Sequence, residues 1–256
     1  MPLRFTILGC GTSSGVPRIG NDWGECDPAD PKNRRSRVSL LVESDTTSIL
    51  VDTSPDLRAQ LLAAEVIALD AVLWTHDHAD HSHGIDDLRQ VFHHRGEPID
   101  GYARVQTLAL LKQRFAYAFE GREGYRPIVQ ARTLPDRLRI GDIDIGCVDM
   151  PHGGIYSTGF RFEHDGRSVG YATDFHEATP EIIALFGGVN VWIVDALRER
   201  PHPTHMHLDL TLAAIEQTAP GTAYLTHMDQ SMDYDRLCSI LPSHVRPAYD
   251  GLCEVV

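Results

Sequence analysis

Short apolar or β-branched runs recur along the chain: Leu3–Leu8, Val38–Val42, Ser48–Val51, Ala71–Trp74, Arg139–Val148, Gly159–Glu163, Ser168–Ala172, Val189–Val194 and Ala223–Leu225. Their brevity and composition predict strands. Helical spacing fills several gaps between them. Asp56–Ala64 follows Pro55, a residue suited to a first turn, and Gly84–His93 sets Ile85, Leu88 and Phe92 on one face. Leu208–Thr218 carries Leu212, Ile215 and Glu216 at helical spacing, and Tyr234–Leu241 stops before Pro242. Early strands succeed one another like hairpins, whereas later ones alternate with helices. That order predicts two sheets packed face to face with helices outside, one α/β domain over residues 1–256. Two stretches lack a clear pattern. Gly20–Arg37 is polar and turn-rich with a basic end, Lys32-Asn33-Arg34-Arg35, and reads as a solvated surface loop; Arg95–Leu138 reads as arginine-bearing loop.

Composition narrows the class. The 256 residues can bury a sizeable core, yet no apolar run approaches the ~18 residues of a membrane span. No basic segment leads into a long apolar one at the N-terminus, so a soluble, cytoplasmic protein is expected. A net charge of −13 argues against a large nucleic-acid footprint, which needs clustered Lys and Arg. Five scattered cysteines with no Cys-x-x-Cys pair suggest neither a disulfide framework nor a structural zinc knuckle. Base rates favour a homodimer. The anomaly is fourteen histidines.

They are concentrated where chemistry would use them. The strand Ala71–Trp74 runs directly into His76-Asp77-His78-Ala79-Asp80-His81, and a helix follows. Imidazole and carboxylate are the usual ligands of zinc and its neighbours, and a tight turn can aim alternate side chains at separate ions. His76 and His78 can share one ion while Asp80 and His81 reach another. Further ligands stand just after other predicted strands: His152 in Met-Pro-His-Gly, Asp174 in Ala-Thr-Asp-Phe and His227 in Leu-Thr-His-Met. The first predicted strand ends in Gly9-Cys10-Gly11-Thr12-Ser13-Ser14-Gly15-Val16-Pro17. Gly15 comes one place late for Gly-x-Gly-x-x-Gly and no long helix follows, so a dinucleotide cradle is excluded. Small residues there would let a substrate phosphate approach the backbone, with Thr12 and Ser13 as candidate contacts.

The ordered set His76/His78/Asp80/His81, His152, Asp174, His227 resembles the metallo-β-lactamase superfamily over nearly the whole chain. The resemblance implies a four-layer αββα sandwich with a dinuclear site along one edge. By position, His76, His78 and His152 would hold one metal, Asp80, His81 and His227 the other, and Asp174 would bridge them. Zn²⁺ is the expected ion and Mn²⁺ the alternative. The segment His202-Pro-Thr-His205-Met-His207 and the Asp195 that ends Val191-Trp-Ile-Val resemble elements of the phosphodiesterase branch that contains PhnP-type enzymes and RNase Z. Gly11–Pro17 and Tyr249-Asp250-Gly251 resemble the opening loop and C-terminal turn of that branch, and Asp52 resembles a carboxylate supporting the metal loop. PhnP carries cysteines after the opening loop that look like a structural zinc site; here only Cys26 stands there, so no structural zinc is expected.

Two metals make a shared hydroxide near neutral pH and clamp phosphoryl oxygens, which suits phosphoester hydrolysis. An alkoxide leaving group additionally needs an acid. The resemblance assigns Asp195–His205 to that task, with His207 as the alternative acid or a substrate contact. Asp80, His205 and Asp195 are the catalytic candidates. The expected substrate is a small cyclic or nucleotide-like phosphodiester. Competing readings are a tRNA 3′-processing endonuclease and a non-catalytic metal- or nucleotide-binding protein on the same fold.

Overall fold

A computed structural model of the chain describes residues 2–256. Its strands are β1 (Arg4–Gly9), β2 (Ser39–Glu43), β3 (Ser48–Val51), β4 (Ala71–Leu73), β5 (Ile99–Ala103), β6 (Val129–Thr133) and β7 (Arg137–Ile140). There follow β8 (Ile143–His152), β9 (Ile155–His164), β10 (Arg167–Ala172), β11 (Val191–Asp195), β12 (Thr222–Thr226), β13 (Val245–Pro247) and β14 (Leu252–Val255). They form two seven-stranded sheets, ordered β14-β1-β2-β3-β4-β5-β6 and β13-β12-β11-β10-β9-β8-β7.

The period of two along the strands decides what each face touches. Leu40, Val42, Ile49, Val51, Ala71 and Leu73 point between the sheets, where they meet Phe160, Phe162, Tyr171 and Ile193 of the second sheet. The alternate residues Leu41, Leu50, Val72 and Trp74 point outward, beneath helices α1 (Leu57–Ala63), α3 (Leu88–Arg95) and α4 (Val105–Arg114). Burial on both faces explains why β2 to β4 read as continuous apolar runs rather than alternating ones. The second sheet packs Phe186 of helix α6 (Pro180–Phe186) onto Trp192, with ring centroids 5.3 Å apart. The remaining helices are α2 (Ala79–Ser82), α5 (Ala116–Glu120), α7 (Leu208–Thr218) and α8 (Tyr234–Ile240). No helix among the described residues is long and apolar enough to cross a membrane.

Three sequence readings need correction. The run Arg139–Val148 is two strands, because Gly141 at φ +54° turns the chain and sets Ile140 opposite Ile143. Arg95–Leu138 is largely ordered, supplying β5, α4, α5 and β6; β5 and β6 lie at the end of their sheet, where polar side chains at half the positions mask the strand signal. The basic end of Gly20–Arg37 is not uniformly solvated. Lys32 lies over the Tyr234 ring at 4.2 Å and Arg34 over Trp23 at 5.0 Å, while Arg35 is only 1% exposed.

Parallel pairing of β3 with β4, of β10 with β11 and of β11 with β12 brings the C-terminal ends of these strands to one edge. Open α/β sheets commonly place ligands at such ends. Two contacts lock that edge. Asp250 accepts bonds from the Cys10 amide at 3.0 Å and from the Ser36 amide and hydroxyl at 2.6 Å each, tying the C-terminal turn to the loop after β1. Burial pushes the Asp250 carboxyl up to about 6, against the pull of those donors. Gly84, directly after the histidine motif, lies so close to the Ser54 carbonyl that an added Cβ would stand 1.9 Å from its oxygen. We therefore expect Gly84→Ala to destabilise the chain by roughly 2–4 kcal/mol in urea denaturation, because backbone must shift on both sides.

Candidate metal centre

Each functional side chain leaves a strand end. Thr75 and His76 follow β4, and a one-turn helix, α2, carries Asp80 and His81 back over the sheet edge. Asp52, Asp174 and His227 follow β3, β10 and β12, and all three adopt left-handed backbone, with φ of +62°, +61° and +57°. Non-glycine residues pay a steric cost there, so surrounding structure must hold them. The Asp174 amide donates to Asp195 Oδ2 at 3.0 Å, and its carbonyl accepts from the Ser157 hydroxyl at 2.7 Å. The Asp52 amide donates to the Leu73 carbonyl at 2.8 Å.

The side chains converge on Asp174. Its Oδ2 lies 3.8 Å from His76 Nε2 and 3.5 Å from His152 Nε2, whose own neighbour is His78 Nδ1 at 3.4 Å. Its Oδ1 lies 3.2 Å from His81 Nε2 and 3.5 Å from His227 Nε2. Asp80 Oδ2 is 3.5 Å from both His81 Nε2 and His227 Nε2. Hence one carboxylate turns one oxygen to His76/His78/His152 and the other to Asp80/His81/His227. Atoms of each group fall within 4.8 Å of one another.

Bonds on the far side of each ring fix which nitrogen faces inward. The Thr75 hydroxyl donates to Asp52 Oδ2 at 2.9 Å, so its oxygen accepts from His76 Nδ1 at 3.0 Å. His152 Nδ1 donates to the Thr204 carbonyl at 2.9 Å, and His81 Nδ1 donates to Asp52 Oδ2 at 2.7 Å. His76 Nε2 and His81 Nε2 are left buried with no hydrogen-bond partner. Orphaned nitrogens aimed at one carboxylate are costly unless they ligate a cation. Ligand atoms about 2.0–2.1 Å from a shared tetrahedral ion stand about 3.4 Å apart, which these spacings match. The residues fit divalent cations.

Electrostatics agree with the geometry. Burial, with His81 beside it, holds His76 well below the ordinary histidine range. Burial opposes charge on Asp174, yet His227 and His81 outweigh it and hold this carboxyl well below the usual range.

His205 belongs to the same cluster. Its ring stacks on His227 with centroids 4.8 Å apart and 11° between planes. Its Nδ1 donates to Asp195 Oδ2 at 3.0 Å, and its Nε2 lies 3.8 Å from Asp174 Oδ2. Burial works against a charge on His205, but Asp195 and then Asp174 overcome it and push its pKa up to about 9. Asp195 Oδ1 also lies 3.9 Å from His227 Nδ1, so this carboxylate faces two histidines. His207 instead occupies the N-cap of α7, its Nδ1 buried without a partner. The geometry therefore separates the two acid candidates and brings His205 to the cluster.

Thr12 is buried, and its amide donates to the Met228 carbonyl at 3.2 Å, one residue past His227; Ser13 is exposed. Sequence reasoning missed Thr75, the Thr204 carbonyl, Ser157 and Arg114, whose guanidinium clamps Asp77 Oδ2 at 2.7 Å. A threonine ahead of a histidine motif carries no signal of its own, and the other three partners lie far away in sequence. Of the histidines left unassigned, His176 accepts from the Gly153 amide at 3.3 Å beside His152, whereas His83 packs its ring on Phe115.

A family model described as the beta-lactamase superfamily domain matches residues 47–228, a span containing every residue of the two ligand groups. The chain belongs to that superfamily. Within it, the chain stands in the PhnP-like branch. It is 33% identical to a solved diphosphatase of the PhnP family, with a TM-score of 0.92 over 100% of this chain and 98% of that one. The short form of human tRNase Z shares the fold at 16% identity and TM-score 0.72, covering 98% of both chains. Among curated proteins, an octanoyltransferase of Porphyromonas gingivalis (strain ATCC BAA-308 / W83) is 31% identical over 99% of this chain. The chain spans 52% of that relative's length.

Asp52 offers a clean check of the metal groups, since it touches a predicted ligand without being one. Asp52→Ala should weaken a divalent cation held at the His81 group by about 10–100-fold in a chelator competition. The His76 group, which Asp52 reaches only through Thr75, should lose less.

Proposed function

We propose that this chain is a dinuclear metal-dependent phosphodiesterase for small cyclic or nucleotide-like phosphodiesters. Its standing as a metal-dependent hydrolase follows from family membership. The observation carrying the finer reading is Asp174, which turns one oxygen to each histidine group across 3.2–3.8 Å. His76, His78 and His152 would hold one ion, Asp80, His81 and His227 the second, with Asp174 between them. Zinc is favoured by the imidazole-rich donor set, with manganese the alternative. Two divalent cations held there would supply Lewis acidity toward phosphoryl oxygens and would lower the pKa of water toward neutrality.

The chain's own residues do the rest. Asp195 holds His205 in one orientation with Nε2 toward the cluster, and its carboxylate favours the charged form of that ring. His205 is thus placed to give its Nε2 proton to a departing alkoxide. Asp52 and the Thr204 carbonyl hold His81 and His152 from behind. Thr12 and Ser13, on the loop against Met228, are the proposed contacts for the remaining phosphoryl oxygens.

The neighbouring PhnP-family structure is that of a diphosphatase, which supports a phosphorus centre as target and adds P–O–P linkages to the candidates. The octanoyltransferase is about twice this chain's length, so its acyl-transfer activity has a whole unmatched half in which to reside. A net charge of −13 disfavours gripping a tRNA.

Zinc- or manganese-reconstituted protein should hydrolyse members of a panel of cyclic, linear and diphosphate-linked nucleotides. EDTA should abolish the activity and readded metal should restore it. Turnover of precursor tRNA alone would overturn the small-substrate reading, and two bound metals with no hydrolysis would favour the non-catalytic one. His205→Ala should keep both metals and lose about 100-fold or more in kcat on alkyl phosphodiesters, but about 10-fold or less on p-nitrophenyl esters. Equal losses on both would remove His205 from the acid's role.

A further inference from the structure

The basic run at the end of the Gly20–Arg37 loop hides one guanidinium. Arg35 is 1% exposed; its two terminal nitrogens donate to neutral partners, and its Nε is buried without a partner. Nη2 donates to the Met232 carbonyl at 2.6 Å and to Asn33 Oδ1 at 3.3 Å; Nη1 donates to the Asp229 carbonyl at 3.3 Å and faces Cys26 Sγ at 3.8 Å. Two of these acceptors are main-chain carbonyls of the segment that follows His227. A guanidinium is planar and presents several donors in a fixed fork, so it can set the relative placement of carbonyls on separate turns.

The backbone of the same residue grips the loop after β1. Arg35 and Val16 exchange amide–carbonyl bonds at 2.9 Å in both directions. Gly11 passes so near that an added Cβ would stand 2.9 Å from Arg35 Cβ. Those two segments, Gly9–Pro17 and His227–Met232, also bond each other: Met228 donates to the Cys10 carbonyl at 3.0 Å and Thr12 to the Met228 carbonyl at 3.2 Å. Both are loops, and one carries His227 on left-handed backbone at φ +57°. Cys10, Met228 and Met232 anchor these loops in the core, and the hydrogen bonds through Arg35 set how the loops sit against each other.

We propose that Arg35 is a positioning residue: its buried guanidinium sets the His227 loop against the Gly-rich loop and so fixes where His227 stands in the second ligand group. The inference rests on the reading that His227 is a metal ligand. Arg35→Met keeps the length and apolar stem of the side chain while removing every donor. Arg35→Lys restores the charge with a single ammonium that cannot span all four partners.

Cobalt titration followed by visible absorption reads each metal group separately from turnover. Wild-type chain should take two cobalt ions. Arg35→Met should bind the first with wild-type strength and the second about 10-fold or more weakly, with Arg35→Lys in between. Amide exchange should rise in peptides covering 9–17 and 227–232 and stay unchanged elsewhere. On a phosphodiester substrate kcat should fall while KM holds. Wild-type affinity for both ions in Arg35→Met, or a uniform rise in exchange over the whole chain, overturns the proposal. Should Arg35→Met not fold, the same two measurements on Arg35→Lys decide: a weakened second ion with local exchange supports the proposal, and wild-type affinity for both ions overturns it. Failure of wild-type protein to hydrolyse any phosphodiester would sink the proposed reaction but leave the cobalt and exchange results to judge Arg35.

Discussion

A carboxylate buried between two sets of imidazoles is the constraint on which the site depends. Asp174 is 2% exposed, and an isolated charge in that position would cost many kcal/mol. Five ring nitrogens face its two oxygens, and a divalent cation held between them and the carboxylate would offset that cost. The surrounding structure also anchors the residue's backbone at both ends, through Asp195 and Ser157. Those anchors explain how a non-glycine residue persists at φ +61°. The left-handed turn directs its side chain out of β10 and across the sheet edge, where no regular strand continuation would send it.

The same device recurs at two neighbouring strand ends. Asp52 and His227 take left-handed backbone after β3 and β12, and each contributes to the cluster or its support. Strain gathered at three such points needs a stiff scaffold. The doubly buried β2 to β4, with core packed on both faces, and the central β10 to β12 provide it. Three buried acids are then apportioned among the histidines. Asp52 backs His81, Asp195 backs His205 and stands near His227, and Asp174 occupies the middle. The acids lower the electrostatic potential in a small volume, which attracts divalent cations.

The loop after β1 has acquired a physical role that differs from its first appearance. Gly11 is required less for phosphate approach than for the near contact with Arg35 and Ser36, since an added Cβ would stand 2.9 Å from each. Thr12 is held beside Met228 by a main-chain bond, and Asp250 pins Cys10 and Ser36 from the C-terminal turn. N-terminal loop, basic loop, His227 segment and C-terminal turn thus form one hydrogen-bonded shoulder on the side of the second ligand group.

How much of this was legible in the sequence differs by kind of interaction. The motif at 76–81, and His152, Asp174 and His227 at the ends of β8, β10 and β12, could be read because both depend on local spacing and strand periodicity. Edge strands such as β6 were missed, since a strand with one wet face and one free edge carries little apolar signal. The choice of His205 over His207 was not decided by sequence. Two residues apart on one loop, they diverge because Met206 bonds to Phe175 and Leu197 and Asp195 holds the His205 ring inward, which leaves His207 at the start of α7. Arg35 shows the same limit most sharply. Within Lys32-Asn33-Arg34-Arg35 it is one basic residue among three, and local chemistry gives no reason to bury it. Its partners Asp229 and Met232 lie nearly two hundred residues away. The sequence by itself determined the ligand types and the strands that carry them, because those follow from short-range periodicity. Only the tertiary structure decided which polar groups meet, because a buried hydrogen bond is set by the distance between atoms and not by their separation along the chain.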